Sequence, residues 1–369
     1  MSIQFIDLKS QYAALKTSIN SRMQNVLEHG QFILGPEVQE LETALVKFTG
    51  APYAITCANG TDALVLSMFA LGIGVGDEVI VPGFSFIATA ETVVLAGAKP
   101  VFVDICKDTY NIDIKKIEAA ITPRTKAIIP VSLYGQTADM TEINAIAEKH
   151  KLTVIEDAAQ SFGATYKGKR SCNLSKLGTA SFFPAKPLGC YGDGGAIFTS
   201  DKQLAEKLMS IRFHGKSPTE RYEHINIGTN SRLDTLQAAI LLAKLERFDW
   251  EVKKRIEIGA KYTQMLGNKA SEKIITPTIK SDRTSVYAQY TIWIENRPQF
   301  QAKLQEQGIP TAVHYPKPMY RQEAYKKFHQ GPALEISDWA ARGVISLPMH
   351  ADLDDATLER IVKAVQAAV

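Results

Sequence analysis

Three places in this chain join a reactive residue type to a constrained setting: Lys186, Asp157 and the small-residue turn Ala58-Asn-Gly-Thr-Asp62. Lys186 lies in Ser181-Phe-Phe-Pro-Ala-Lys-Pro-Leu-Gly-Cys-Tyr-Gly-Asp-Gly-Gly195, after an apolar run, between Pro184 and Pro187, and ahead of a glycine-rich turn. The prolines stiffen the segment. A lysine held away from water loses basicity, as a Schiff-base amine requires; an exposed loop lysine is the ordinary alternative. Asp157 closes the run Thr153-Val-Ile-Glu-Asp-Ala-Ala. In open α/β sheets the carboxyl ends of strands face the ligand crevice, and a carboxylate there can hold a protonated ring nitrogen or simply cap the next helix. The Ala58–Asp62 turn opens a helix, so its backbone N–H groups can cradle an anion. Taken alone it is better explained as a capping box, because Asn, Thr and Asp are good N-caps. Ser181 could donate to the same anion or be satisfied within its strand. Each residue is ambiguous singly; the set gains weight because cradle, acid and lysine occur in order, each at a strand end of one expected sheet.

That sheet is read from residues about 50 to 200, where short apolar runs alternate with helical patterns. Strands are expected at Glu78–Val81, Pro100–Asp104, Lys126–Val131, Thr153–Glu156, Thr179–Phe183 and Ala196–Thr199, with helices at Asp62–Leu71, Ser85–Leu95 and Met140–His150. Runs such as Val79-Ile-Val and Ile128-Ile-Pro-Val are apolar on consecutive residues, as parallel strands buried on both faces are. A long helix is expected at Thr235–Lys261, then a hairpin-like Tyr287–Ile294 and helices Pro298–Gln307 and Asp355–Ala368. This predicts an α/β chain: a large domain over residues 1–250 with a mostly parallel sheet between helices, and a smaller α+β domain over 251–369.

Several function classes lose support. Gly72-Ile-Gly-Val-Gly-Asp resembles a dinucleotide fingerprint but precedes a strand instead of following one, which weighs against a dinucleotide-dependent oxidoreductase. His214-Gly-Lys-Ser resembles a P-loop end, but Ser210 stands where its first Gly belongs. The 369 residues carry a net charge of +3, too little to argue for nucleic acid or an anionic membrane surface. Composition, 45% hydrophobic and 22% charged, is that of an ordinary globular protein. No run is long and apolar enough to span a bilayer, and Met1–Leu8 lacks the basic and apolar segments of a signal peptide, so a cytoplasmic protein is expected. Cys57, Cys106, Cys172 and Cys190 lack metal-ligand spacing and read as reduced thiols; with seven scattered histidines, no metal site is expected.

The chain resembles the DegT-type nucleotide-sugar aminotransferases, which have the aspartate-aminotransferase fold. The matching motifs run from Phe5-Ile-Asp-Leu and Gly30-Gln-Phe-Ile-Leu-Gly-Pro-Glu-Val through Asn59-Gly-Thr-Asp-Ala-Leu, Glu156-Asp-Ala-Ala-Gln, Ser181-Phe-Phe-Pro-Ala-Lys, Gly192-Asp-Gly-Gly-Ala and Asn230-Ser-Arg-Leu to Val313-His-Tyr. The resemblance implies pyridoxal 5'-phosphate bound as an internal aldimine on Lys186, with a pyridoxamine form between half-reactions. By the same resemblance Asp157 pairs with the ring nitrogen, Phe86 stacks on the ring, and Gln160 lies near its hydroxyl. Gly60, Thr61 and Ser181 hold the phosphate together with Asn230 from the partner of a homodimer. Arg232, His314 and Tyr315, with Gly30 and Phe32 at the border, are the substrate candidates; an ion pair for Arg232, a satisfied loop histidine for His314 and a core position for Phe86 are the plainer alternatives. Lys186 would move a proton between the amino donor, L-glutamate, and the cofactor. The stretch Pro184–Gly195 is most similar to members that aminate a UDP-linked 3-oxo-N-acetylglucosaminuronic acid for surface polysaccharide or O-antigen precursors, although Pro187 replaces the Asn that many members carry after the lysine. Lys186 itself argues against the related dehydratases, which have histidine there. Another keto nucleotide sugar, such as a 4-oxo-6-deoxy sugar, is the alternative substrate. A cofactor-bearing sensor without turnover is the alternative of another class.

Overall fold

A computed structural model of the chain describes residues 3–267 and 274–369. Two helices absent from the sequence expectations come first, α1 (Leu8–His29) and α2 (Pro36–Thr49). The α/β region follows as β1 (Tyr53–Cys57), α3 (Gly60–Leu71), β2 (Glu78–Pro82), α4 (Ala88–Leu95), β3 (Lys99–Val103), the single turn α5 (Ile114–Ile117), β4 (Thr125–Ile128), α6 (Met140–Lys149) and β5 (Thr153–Asp157). A small ribbon, β6 (Thr165–Tyr166) and β7 (Lys169–Arg170), precedes β8 (Leu177–Ser181), β9 (Gly195–Thr199) and α7 (Lys202–Ile211). The rest comprises α8 (Thr235–Gly267), β10 (Ile274–Ile275), β11 (Tyr290–Ile294), α9 (Arg297–Glu306), α10 (Glu335–Gly343), β12 (Val344–Leu347) and α11 (Asp355–Ala368).

The large sheet has the order β1-β9-β8-β5-β4-β2-β3. Six strands run one way and β9 runs against both its neighbours. That reversal has a physical cause: a parallel return needs a crossover, usually a helix, whereas residues 182–194 join β8 to β9 without one. Lys186 sits in this connection. The sheet is covered on both sides, as the consecutive apolar runs require. Ile55, Val79, Val81 and Ile129 pack with α3, α4 and α7, while Ala54, Ala180, Phe182 and Phe198 pack with α2 and the first half of α8.

Some expected boundaries shift for local reasons. The strand expected to reach Val131 ends at Ile128, because Pro130 has no N–H for the ladder; its carbonyl still accepts from Asp157 N at 3.0 Å. The helix expected from Ser85 begins at Ala88, which leaves Ser85 and Phe86 outside it. The glycine run at 72–76 is a helix stop and turn: Gly72 closes α3 in the left-handed region, and Gly74 N donates to Asp77 Oδ2 at 3.0 Å.

A second, antiparallel sheet of β10, β11 and β12 builds a separate core with the end of α8, α9 and α11, centred on Tyr262, Tyr290, Ile292, Phe300 and Ile361. Along α8, residues up to Val252 join the large-sheet core and residues from Ile258 join the small one.

Candidate active site

The carboxyl ends of the central strands and the segments that follow them surround a pocket of about 620 Å³. It is lined by Asp157 at the end of β5, Ser181 at the end of β8, Lys186 in the β8–β9 connection, and the start of α3. His314 and Tyr315, from the chain between α9 and α10, close another side. Cradle, acid and lysine, far apart in sequence, thus meet in one cavity.

At the head of α3 both explanations of the Ala58–Asp62 turn hold. The Asn59 side chain caps the helix by accepting from Asp62 N at 2.8 Å. The N–H groups of Gly60 and Thr61, which have no acceptor within a helix, line the pocket beside Ser181. Glycine is required at 60: a Cβ there would lie 2.5 Å from Ser181 Cβ. That close approach places a serine hydroxyl against the positive end of a helix, a strong setting for an anion.

Asp157 is buried. Thr89 Oγ1 donates to its Oδ2 at 2.9 Å, and Ala159 N donates to its Oδ1 at 3.2 Å. Burial raises its carboxyl above the ordinary range, against these hydrogen bonds and the charge of Lys186. Burial likewise lowers the Lys186 amine below the ordinary lysine range, opposed by the charge of Asp157. A cationic group near Asp157 would relieve the first penalty, and a less basic amine is suited to attack or deprotonate at neutral pH.

Gln160 is buried and fixed at both ends of its amide: Oε1 accepts from Tyr134 N at 2.9 Å, and Nε2 donates to the Tyr315 hydroxyl at 3.2 Å. Phe86 is 50% exposed, so the core-aromatic alternative fails; its ring lies 5.9 Å from that of Tyr315 and faces the pocket. His314 Nδ1 is 2.9 Å from Ser346 Oγ, and its carbonyl accepts from the Tyr134 hydroxyl. Burial, with the charge of Lys186, holds His314 down at about 4, so it is a neutral imidazole at pH 7.

Gly30, Phe32, Asn230 and Arg232 do not line the pocket of their own chain. They gather elsewhere: Thr235 N donates to Phe32 O at 2.9 Å, Ile33 bridges Asp234, and Asn230 bridges Phe213. Arg232 stacks on Phe213 at 4.8 Å, and its buried Nε has no hydrogen-bond partner. Nearby residues 222–227 expose Tyr222, Ile225 and Ile227.

Among the polar pocket residues, sequence reasoning gave no role to Ser85, Thr89, Asp193 and Gln289. Thr89 stands in the first turn of α4, three residues after Phe86. Ser85 is 4% exposed, and its Oγ is one of the buried polar atoms without a partner. Gln289 enters from the small-sheet region, and nothing in its local sequence marks it.

The profile of the DegT/DnrJ/EryC1/StrS aminotransferase family matches residues 13–366. A Pseudomonas aeruginosa protein described as UDP-2-acetamido-2-deoxy-3-oxo-D-glucuronate aminotransferase is 58% identical over 98% of this chain and 99% of its own. The crystal structure of a DegT/DnrJ/EryC1/StrS aminotransferase from Brucella abortus superposes with a TM-score of 0.96 at 44% identity, covering 99% of both chains. That of NtdA from Bacillus subtilis, solved with bound cofactor PMP, gives 0.90 at 34% identity, covering 99% of this chain and 83% of the other. With a lysine, a strand-end acid and an anion cradle converging in one pocket, this chain belongs to the DegT/DnrJ/EryC1/StrS aminotransferase family.

Proposed function

We propose that this aminotransferase moves the amino group of L-glutamate to carbon 3 of UDP-2-acetamido-2-deoxy-3-oxo-glucuronate. The observation that carries the pocket chemistry is the meeting of Lys186, Asp157 and the α3 cradle in one cavity; the 58% identity to the Pseudomonas aeruginosa protein supports the sugar. The cofactor is pyridoxal 5'-phosphate, with pyridoxamine 5'-phosphate as its half-reaction form. The pocket suits that group: the N–H groups of Gly60 and Thr61 and the Ser181 hydroxyl match a phosphate, and the unpartnered Ser85 Oγ has room for a ligand partner. When bound, the pyridoxal ring supplies a sink for carbanion electrons.

The chain's own groups then divide the work. Asp157 holds a proton at the ring nitrogen, an ion pair that offsets the cost of burying its carboxylate. Phe86 offers a ring face for stacking. Gln160, fixed between Tyr134 and Tyr315, sets the wall beside the ring hydroxyl. Lys186 Nζ, less basic than an ordinary lysine, takes the proton from the glutamate α-carbon and later delivers one to the sugar carbon.

Asn230 and Arg232 are assigned to the pocket of a partner subunit, with Asn230 at the phosphate and Arg232 facing the sugar acid. Gly30 and Phe32 border that sugar. Supporting this homodimer with shared sites are the absence of these four residues from their own chain's pocket and the exposed apolar residues 222–227 nearby. We divide the chain into residues 1–250 and 251–369, within α8; the passage of packing from one core to the other between Val252 and Ile258 supports a division in that helix. Among the described residues no helix is long and apolar enough to cross a membrane; a cytoplasmic enzyme making surface-polysaccharide or O-antigen precursors is the role we assign.

Two measurements test this. Borohydride treatment of the cofactor-loaded protein should leave a phosphopyridoxyl mass on Lys186, and Lys186→Ala should abolish both adduct and turnover; full activity in that variant would refute the lysine assignment. A panel of keto nucleotide sugars with glutamate should give highest kcat/KM for the 3-oxo sugar acid. A 4-oxo-6-deoxy sugar turning over faster would overturn the substrate.

A further inference from the structure

We propose that Gln11, Arg255 and His350 form a binding site for a single water molecule behind Lys186, and that through it they act as positioning residues for the lysine. Seven buried side-chain nitrogen or oxygen atoms among the described residues have no hydrogen-bond partner. Three of them, Gln11 Oε1, Arg255 Nε and His350 Nδ1, belong to residues lining one cavity of about 10 Å³. Pro184 and Lys186 line it too, and so do the acidic residues Asp7, Glu251 and Asp352. Lys186 also lines the main pocket, so it forms part of the wall between the two.

The chemistry of the three atoms fits water. The Gln11 amide is oriented by its Nε2, which donates to both Glu251 carboxylate oxygens at 3.0 and 2.9 Å; Oε1 is therefore the end left over, and it only accepts. Arg255 uses Nη1 on the Tyr287 carbonyl at 3.1 Å, which leaves its Nε–H, a donor only. Burial keeps His350 below the ordinary histidine range, against the charges of Asp7, Asp352 and Asp354 and with that of Arg255; its ring is neutral at pH 7 and Nδ1 can accept. One water can take the Arg255 proton donor and give its two hydrogens to Gln11 and His350. Three bonds is the usual number for a buried water, and a cavity near 10–15 Å³ is about the smallest that holds one.

The four chain segments that meet there explain why the site matters. Gln11 is on α1, Arg255 on α8, His350 follows β12, and Lys186 is in the β8–β9 connection. A water bonded to the first three fills the space at the back of the connection that carries the lysine, without touching substrate or cofactor.

The test uses the full-length, cofactor-free protein, so its outcome does not depend on the assigned substrate or cofactor. A crystal structure at a resolution where buried waters are visible should contain one water within hydrogen-bond distance of all three atoms. His350→Leu and Gln11→Met remove an acceptor at similar volume, and two variants keep the test open if one fails to fold. Both should lose the water and move the pH midpoint of chemical labelling at Lys186 by about half a unit or more. His350→Asn, which returns an acceptor near the Nδ1 position, should restore water and midpoint together. A dry cavity in the wild-type protein overturns the site. Loss of the water with an unmoved midpoint, or no rescue by asparagine, overturns the positioning role.

Discussion

Replacing Gly60 by alanine probes the anion cradle where its geometry leaves least slack. The added Cβ would meet Ser181 Cβ at 2.5 Å, Oγ at 3.0 Å and Cα at 3.1 Å. Carbon atoms pack at about 3.5–4.0 Å, so roughly 1 Å must be recovered. The obstruction is the Cα and Cβ of a residue ending β8, within the seven-stranded sheet, so no flexible side-chain end can swing away. Overpacking of this kind costs about 1–3 kcal/mol. Alanine's better helix propensity returns at most about 1 kcal/mol, so the protein should fold with a modest loss of stability. The effect on binding is larger. A displacement of roughly 1 Å between the head of α3 and Ser181 takes one of their hydrogen bonds to the phosphate beyond useful length. A hydrogen bond to a charged group contributes about 1.5–3 kcal/mol, and about 1.4 kcal/mol is tenfold in affinity. Titration of cofactor-free G60A protein with pyridoxal 5'-phosphate, followed by absorbance, should therefore give a Kd raised roughly 10- to 100-fold. Unphosphorylated pyridoxal should bind variant and wild type alike, because it never used the cradle. Equal loss for both ligands, or no loss for the phosphate ester, would refute the cradle argument.

Three further outcomes are expected. Glu156 is fully buried, accepting from Ser171 Oγ at 2.9 Å and from Cys172 N at 3.1 Å, and burial raises its carboxyl from 4.5 to about 7. The folded state then binds more protons than the unfolded one between those values. Stability should fall as pH rises from 4.5 to about 7, by about 3 kcal/mol at about 1.4 kcal/mol per unit, and Glu156→Gln should flatten that slope in denaturant melts. Arg212→Met strips Glu42 and the Thr56 carbonyl of a guanidinium that now bonds them at 2.5 and 2.9 Å; urea unfolding should show a loss of about 3–5 kcal/mol. Mixing Lys186→Ala with Asn230→Ala subunits, each inactive alone, should regain about a quarter of wild-type turnover if sites are shared, since random pairing makes half the dimers mixed and restores one site in each; no recovery would count against the shared site.

How much of this was legible in the sequence depended on how local each cause was. Strands β2, β3 and β5 and helix α11 were readable because their apolar runs and caps lie within a few residues. Pro130 and the helix start at Ala88 shifted boundaries by only a few positions. The direction of β9 was not readable from its own residues: it follows from residues 182–194 lacking a helix, which shows only once the two flanking strands are paired. Helices α1 and α2 were missed, though each ends in a left-handed glycine, Gly30 and Gly50. Among pocket residues, Lys186, Asp157 and Ser181 sit at or just beyond strand ends, where topology points side chains toward a crevice. Gln289 arrives from a segment more than a hundred residues beyond the lysine, and only tertiary folding brings it to the pocket.

The opposite displacements of Asp157 and Lys186 tie these observations together. Both arise first from burial, and each group is a charge partner of the other. Where the Lys186 nitrogen is held as an unprotonated imine, its charge leaves the cavity and the Asp157 carboxylate stays buried with the Thr89 hydroxyl and the Ala159 N–H to stabilise it. A buried carboxylate with no cation beside it is costly, so on the proposed role of Asp157 a protonated ring nitrogen would be held most strongly when the lysine nitrogen carries no charge. On that role, the acid's placement at a strand end, buried from solvent, would couple the charge state of the lysine nitrogen to proton retention at the ring. Thr89→Val, which removes one of the two remaining donors, should strengthen that coupling: Asp157 would depend more on the ring cation, and the pH range over which the bound ring stays protonated should extend to higher pH in an absorbance titration. An unchanged titration would mean that the carboxylate draws its stability from elsewhere.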